Sequence, residues 1–187
     1  MAEFGESSGN IDPRESRIIR NLFRLSSLMA SDIMTPRTVI SALPKDSTVN
    51  EALDTKPVMT FSRLPIYGKD LDHIDGFILR DDLLLSKARD FGDVKIETLK
   101  RDIYTVPDSM PLSELLEFLL DERQHIALVV GEYGGTKGLV TIEDVVETLL
   151  GMEIVDEMDR VEDMRALARQ QWEKRAKAIE LRRETND

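Results

Sequence analysis

Gly76-Phe77-Ile78-Leu79-Arg80-Asp81-Asp82 returns further along the chain as Gly138-Leu139-Val140-Thr141-Ile142-Glu143-Asp144, at a spacing of 62 residues. Each stretch reads as an apolar strand running straight into the first turn of an acidic helix. Upstream, Leu43-Pro44 followed by Val49, Glu51 and Leu53 returns as Val106-Pro107 followed by Leu112, Glu114 and Leu116. Here the spacing is 63, so one copy carries a one-residue slip. Self-similarity of this kind means two copies of one supersecondary unit that bury their apolar faces together. It also means a pseudo-twofold cleft between the copies, and clefts between domains are where ligands usually bind.

Working outward, the same β-α-β-β-α order fits both copies. In the first, residues 31–92, the reading is a strand at 38–43, a Thr48-capped helix at 49–54, strands at 64–67 and 74–79 joined by a charged turn, and a helix at 80–88. In the second, residues 93–152, it is a strand at 103–106, an amphipathic helix at 111–123, strands at 125–130 and 136–140, and a helix at 142–150 ended by Gly151. The run 125–130 is almost continuously apolar and reads as buried on both faces. The fold class is therefore α/β (α+β), two repeats in a pseudo-twofold arrangement with helices at both ends. In the leader, residues 1–30, Asp12-Pro13-Arg14-Glu15 is a helix start, and Ile18, Ile19, Leu22, Phe23 and Leu25 form a docking stripe. Residues 153–187 read as an acidic connector followed by a helix with one narrow apolar face through Val161, Met164, Ala168, Trp172, Ala176 and Ile179.

Composition excludes several functions. The 187 residues carry 25 basic and 36 acidic side chains, a formal charge of -11, which argues against a nucleic-acid partner because phosphate binding needs clustered Lys and Arg. Cysteine is absent and only two histidines occur, leaving little for a disulfide framework, a thiolate metal site or a His-based triad. No run approaches the roughly 20 apolar residues that a bilayer-spanning helix needs, and the Ser/Gly-rich start is not a signal peptide. A cytoplasmic chain is the expectation. No nucleophile–base pair or Gly-rich phosphate loop suggests an enzyme.

The repeated stretch also carries the candidate chemistry. Where the strand ends at Val140 and the helix begins, the first-turn N–H groups have no intrahelical partner and the helix dipole adds positive potential, which suits phosphate. Thr141 adds a hydroxyl. Asp144 can accept from the diol of a ribose, a role acids play in other nucleotide sites. The same Thr-x-x-Asp spacing also makes a plain capping box. Spacing alone leaves both readings open.

The ordered motifs Asp32-Ile33-Met34-Thr35-Pro36-Arg37, Arg63-Leu64-Pro65-Ile66-Tyr67, Ile74-Asp75-Gly76 with Asp82, His125-Ile126-Ala127-Leu128-Val129-Val130 and Gly138-Leu139-Val140-Thr141-Ile142-Glu143-Asp144 resemble a tandem CBS-domain pair, a Bateman module, of the CorC/CNNM family. Members of that family are membrane proteins implicated in magnesium and cobalt transport. The resemblance covers residues 31–159. It implies a regulatory site for an adenine nucleotide, ATP or AMP, with Mg2+ bridging its phosphates. Thr141 would contact phosphate and Asp144 the ribose, and the base would lie near Ile40, Ser62, Arg63 and Pro65. Arg63 and His125 occupy matching positions at the 62-residue spacing and point to the same cleft, where either meets phosphate. Leu79 stands where Thr141 stands and cannot bind phosphate, so one nucleotide site per chain is expected. The resemblance further implies a homodimer through the CBS helices, at the cytosolic face of a membrane, acting on a transport domain absent from this chain. The alternative is a dimerisation scaffold with a degenerate nucleotide site. The acidic residues at 153–163 read as a solvated connector.

Overall fold

The structure, a computed structural model, describes residues 12–55, 58 and 60–151. The start of the leader, the acidic connector and the expected carboxy-terminal helix lie outside the described residues. Helix α1 (Pro13–Leu25) begins as its sequence dictates: the Arg14 N–H donates to Asp12 at 2.7 Å, and the Asp12 N–H donates to Glu15 at 3.1 Å. The Asn21 amide donates to the Leu149 carbonyl at 3.1 Å, so α1 docks on α6 (Ile142–Leu150), the last helix among the described residues. A short helix α2 (Ala30–Ile33) and a two-residue strand β1 (Thr35–Pro36) follow.

Both units realise the expected order. The first contains β2 (Leu43–Pro44), α3 (Val49–Leu53), β3 (Arg63–Tyr67), β4 (Ile74–Leu79) and α4 (Arg80–Ala88). The second contains β5 (Tyr104–Pro107), α5 (Leu112–Asp121), β6 (Ile126–Val130), β7 (Thr136–Thr141) and α6. In each, the first strand runs parallel to the second and the second antiparallel to the third. The strand orders are β2-β3-β4 and β1-β7-β6-β5. Strand β1 therefore lies at the start of the first repeat in sequence but pairs with the second unit, Thr35 opposite Leu139 and Pro36 opposite Gly138. The start of the second repeat does the reverse, since Arg101, ahead of that unit's first strand, bridges to Phe77 of the first.

Of the docking stripe expected on α1, Leu25 is buried but Leu22 and Phe23 are exposed, so the helix docks by a narrower face. Two expectations within the repeats also need correction. The strand at 38–43 forms only as Leu43–Pro44, and Arg37–Val39 is a 3-10 turn. Having left the edge of the second sheet at Pro36, the chain must turn back toward the first. Val39 is buried there and Ile40 packs between the units, so tertiary contacts override β-branched propensity. The second correction concerns register. Ile66 faces Gly76 and Val129 faces Gly138, but the next pairs are Tyr67 with Ile74 and Val130 with Thr136, so the slip sits in the longer β3–β4 hairpin. Arg63, opposite Leu79, thus matches Ile126, opposite Thr141, and not His125. His125 matches Ser62: the Ser62 carbonyl accepts from Arg80 N–H at 3.0 Å and the His125 carbonyl from Ile142 N–H at 3.1 Å.

Three apolar clusters follow from strand alternation. Leu64, Ile66 and Ile78 turn into the core of the first unit. Ala127, Val129 and Val140 turn into that of the second, which Leu25, Ala30 and Ile33 complete. Phe77, Ile126, Leu128 and Leu139 face each other across the units. By the same parity Arg63 and Thr141 lie on the faces that meet.

Candidate functional site

Strands β4 and β7 each end where a helix begins, so the starts of α4 and α6 sit at corresponding points of the two units. The caps differ. Thr141 caps α6: the Asp144 N–H donates to its hydroxyl oxygen at 3.2 Å, while the Thr141 N–H and hydroxyl both donate to Asp144 Oδ2 at 2.7 Å. The capping-box reading of Thr-x-x-Asp is thus realised, and it ties the two side chains to each other at the start of the helix. Leu79, at the start of α4, caps nothing with its side chain. Asp82, the counterpart of Asp144, instead accepts from Arg101 through Nε at 3.3 Å and Nη2 at 3.0 Å.

Between the units lies a cavity of about 440 Å³, a size suited to a small ligand. Arg63, Leu79, Arg101, Arg123 and His125 line it, with Asp102 as the carboxylate on its wall. Among the described residues no carboxylate pairs with Arg63 or Arg123. Tyr104 closes one side, its ring edge-on to Phe118 at 5.5 Å and its hydroxyl donating to Glu122 at 3.0 Å. That hydrogen bond and the carboxylate's charge hold the Tyr104 phenol above its ordinary range. A second hollow, about 380 Å³, lies at the β6–β7 hairpin. It mixes Arg37 and Lys137 with Asp108 and Glu132 and holds none of the expected site residues.

The structure thus gathers Arg63 and His125 in one cavity, despite their unequal positions in the repeat, and Thr141 with Asp144 at the start of α6. Neither Thr141 nor Asp144 lines that cavity, and the two groups meet only through His125, whose carbonyl accepts the first N–H of that helix. Ile40 packs on the apolar cluster between the units. Pro65 is buried opposite Phe77, and Ser62 is exposed beside Arg63. Sequence reading missed Arg101 and Arg123. Arg101 falls ahead of the stretch that the repeat aligns, and Arg123, inside it, has the uncharged Thr60 as its counterpart at the 63-residue spacing; only the crossing of the linker onto β4 brings Arg101 to the cleft. Among the described residues no group of three or more His, Asp or Glu is arranged to hold a metal ion. None of the described helices is long and apolar enough to cross a membrane.

The family model for the CBS domain matches residues 92–151, which are the second unit. The CBS domain of a bacterial CNNM/CorC family Mg2+ transporter superposes with a TM-score of 0.78 at 35% identity, covering 83% of this chain and 94% of that one. The chain belongs to the CBS domains of the CNNM/CorC family. A structure of such a CNNM/CorC domain in complex with ATP matches with a TM-score of 0.71 at 33% identity, over 75% of this chain and 99% of that one. The magnesium and cobalt efflux protein CorC of Escherichia coli is 34% identical over 170 residues, 90% of this chain. This CNNM/CorC chain spans 58% of the length of that curated relative.

Proposed function

We propose that this chain is a regulatory module that binds an adenine nucleotide between its two units and so controls a divalent-cation transport domain lying beyond its residues. One observation carries the reading. In a chain of formal charge -11, Arg63, Arg101, Arg123 and His125 gather around one cavity beside the start of α6. Concentrating cationic donors in an acidic molecule makes that cavity its anion site. Thr141 and Asp144 then hold phosphate and ribose, and Ile40 and the Ser62–Pro65 stretch line the base. Leu79 caps nothing in the equivalent place, so one nucleotide binds per chain. Mg2+ enters with the nucleotide, bridging its phosphates, because magnesium favours oxygen ligands and keeps part of its water shell. The module works by differential affinity of the nucleotide for two arrangements of the protein, not by catalysis.

The chain pairs with a second copy through its helices, at the cytosolic face of a membrane. The exposed Leu84 and Leu85 of α4 and the exposed Phe91 support a helix-mediated contact. The capping box favours a second reading, a dimerisation scaffold, because it satisfies Thr141 and Asp144 with no ligand at all.

Calorimetric titration with ATP and AMP, with and without Mg2+, separates the two. Nucleotide binding predicts saturation near one equivalent per chain that Asp144→Ala abolishes in a still-folded protein. No heat from either nucleotide would leave the scaffold.

A further inference from the structure

We infer that Arg101, positioned by Asp82, is the residue through which the cleft distinguishes nucleotides by the length of their phosphate chain. The inference rests on the nucleotide reading above. Three independent features fix Arg101. Its backbone exchanges two hydrogen bonds with Phe77, at 2.8 and 3.0 Å. Its carbonyl oxygen sits so close to Gly76 that a Cβ there would overlap it. Its guanidinium lies on Asp82, with Nε and Nη2 both directed at one carboxylate oxygen.

This geometry engages one edge of the guanidinium and leaves the other available. Arginine carries five N–H donors in a planar fork. Two are directed at Asp82, and the three that remain can serve an anion in the cavity that Arg101 lines. Lysine, a single point charge on a flexible stem, cannot be oriented by one partner and present a second edge to another. Asp82 has therefore exchanged the role that Asp144 holds in the second unit. There the acid caps its helix behind a threonine. Here, behind Leu79, it has no hydroxyl to pair with and serves as the anchor of an arginine.

The position of Arg101 assigns its partner. Thr141, Asp144 and His125 belong to the second unit, whereas Arg101 stands on the wall built by the first. His125, whose carbonyl accepts the first N–H of α6, lines the same cavity as Arg101, so a phosphate chain that leaves the start of α6 past His125 enters the space that Arg101 lines, and only a longer chain reaches across it. Charge-assisted contacts of this type are about twice as strong as neutral ones. A triphosphate gains the contact and a monophosphate does not.

The test is calorimetric affinity for ATP and for AMP, measured on the full chain, Arg101→Ala, Arg101→Lys and Asp82→Asn, with a thermal melt confirming that each is folded. Arg101→Ala should weaken ATP roughly tenfold and AMP less than about twofold. Arg101→Lys should restore only part of the loss, and Asp82→Asn should weaken ATP selectively because the guanidinium is no longer held. Equal weakening of ATP and AMP would reduce Arg101 to a structural link and overturn the inference, as would ATP binding indifferent to Arg101. Binding of neither nucleotide by the unaltered chain would overturn the nucleotide reading itself, and this inference with it.

Discussion

A Cβ on Gly138 would stand 2.5 Å from the Thr35 carbonyl oxygen and 2.8 Å from the Met34 sulfur. The thioether can swing aside, but the carbonyl belongs to β1 and is fixed by its pairing with β7. Glycine is required here because another segment's backbone crosses over it, not because of a turn. Gly138→Ala is therefore expected to cost about 1–3 kcal/mol, the usual penalty for inserting a methyl into a packed site. Gly135→Ala, with nothing within 4 Å of the added carbon, should stay within about 0.5 kcal/mol of the unaltered chain. Denaturant midpoints of the two variants decide it, and equal losses would reject the crossing-segment explanation. At Asp144 two effects must be kept apart. Removing its carboxylate also removes the half of the capping box that accepts from the Thr141 N–H and hydroxyl, while the Asp144 N–H can still donate to Thr141, so the loss is about 1 kcal/mol or less. A cap loss of that size lowers the melting temperature but leaves a folded chain with its cavity, so abolished nucleotide binding cannot be assigned to unfolding.

Local punctuation made some elements legible and tertiary crossing hid others. The strand at Ile74–Leu79 and the helices at Arg80–Ala88 and Ile142–Leu150 form where the sequence places them, because strand alternation gives way there to a first turn rich in acids. Helix α3 was equally legible: the Thr48 N–H donates to Glu51 at 2.7 Å and the Glu51 N–H to the Thr48 hydroxyl at 3.2 Å. By contrast β1 has two residues and no periodicity, and α2 has four, so neither leaves a pattern to read. Residues 38–40 carry a strand signal that the return of the chain between sheets overrides. At the candidate site, Thr141 and Asp144 were visible through their repeat, whereas Arg101 has no counterpart in it. The α3 cap also carries a pH signature. Hydrogen bonds from the Thr48 N–H and hydroxyl hold the Glu51 carboxyl below its ordinary range. With the folded value below the unfolded one, this contribution is full above the unfolded value and is lost as pH falls through the folded value. The stability gap between the unaltered chain and Glu51→Gln should therefore be widest near neutrality and shrink below about pH 4. Urea unfolding at several pH values measures it, and a gap that stays constant with pH would remove the carboxylate from the explanation.

At the scale of the whole molecule, each unit is completed by the segment that precedes the other in sequence. Thr35–Pro36 adds an edge to the second sheet, and Arg101 adds a bridge to the first. Units joined this way share no simple cutting point, because each crossing segment is held to the other unit by backbone pairing. Ile33 makes the point testable. By sequence it belongs to the start of the first repeat, ahead of that unit's first strand, yet it is only 3% exposed and lies in the core of the second, with Val106, Leu112 and Val145. Ile33→Ala should cost about 2–5 kcal/mol, as large-to-small core changes do. Its local effect should fall on the second unit. Amide exchange is expected to quicken over Ile126–Val130 and Thr136–Thr141 more than over Arg63–Tyr67, although the substituted residue is far nearer the latter in sequence. The same loosening should reach the cleft, because β7 carries Thr141 to the start of α6 and β1 holds the outer edge of β7. Nucleotide affinity should then fall in Ile33→Ala without any change to a cleft residue. Exchange that quickens equally in both sheets would mean that the two units open as one body, and the crossed segments would then serve cooperativity instead of cleft geometry.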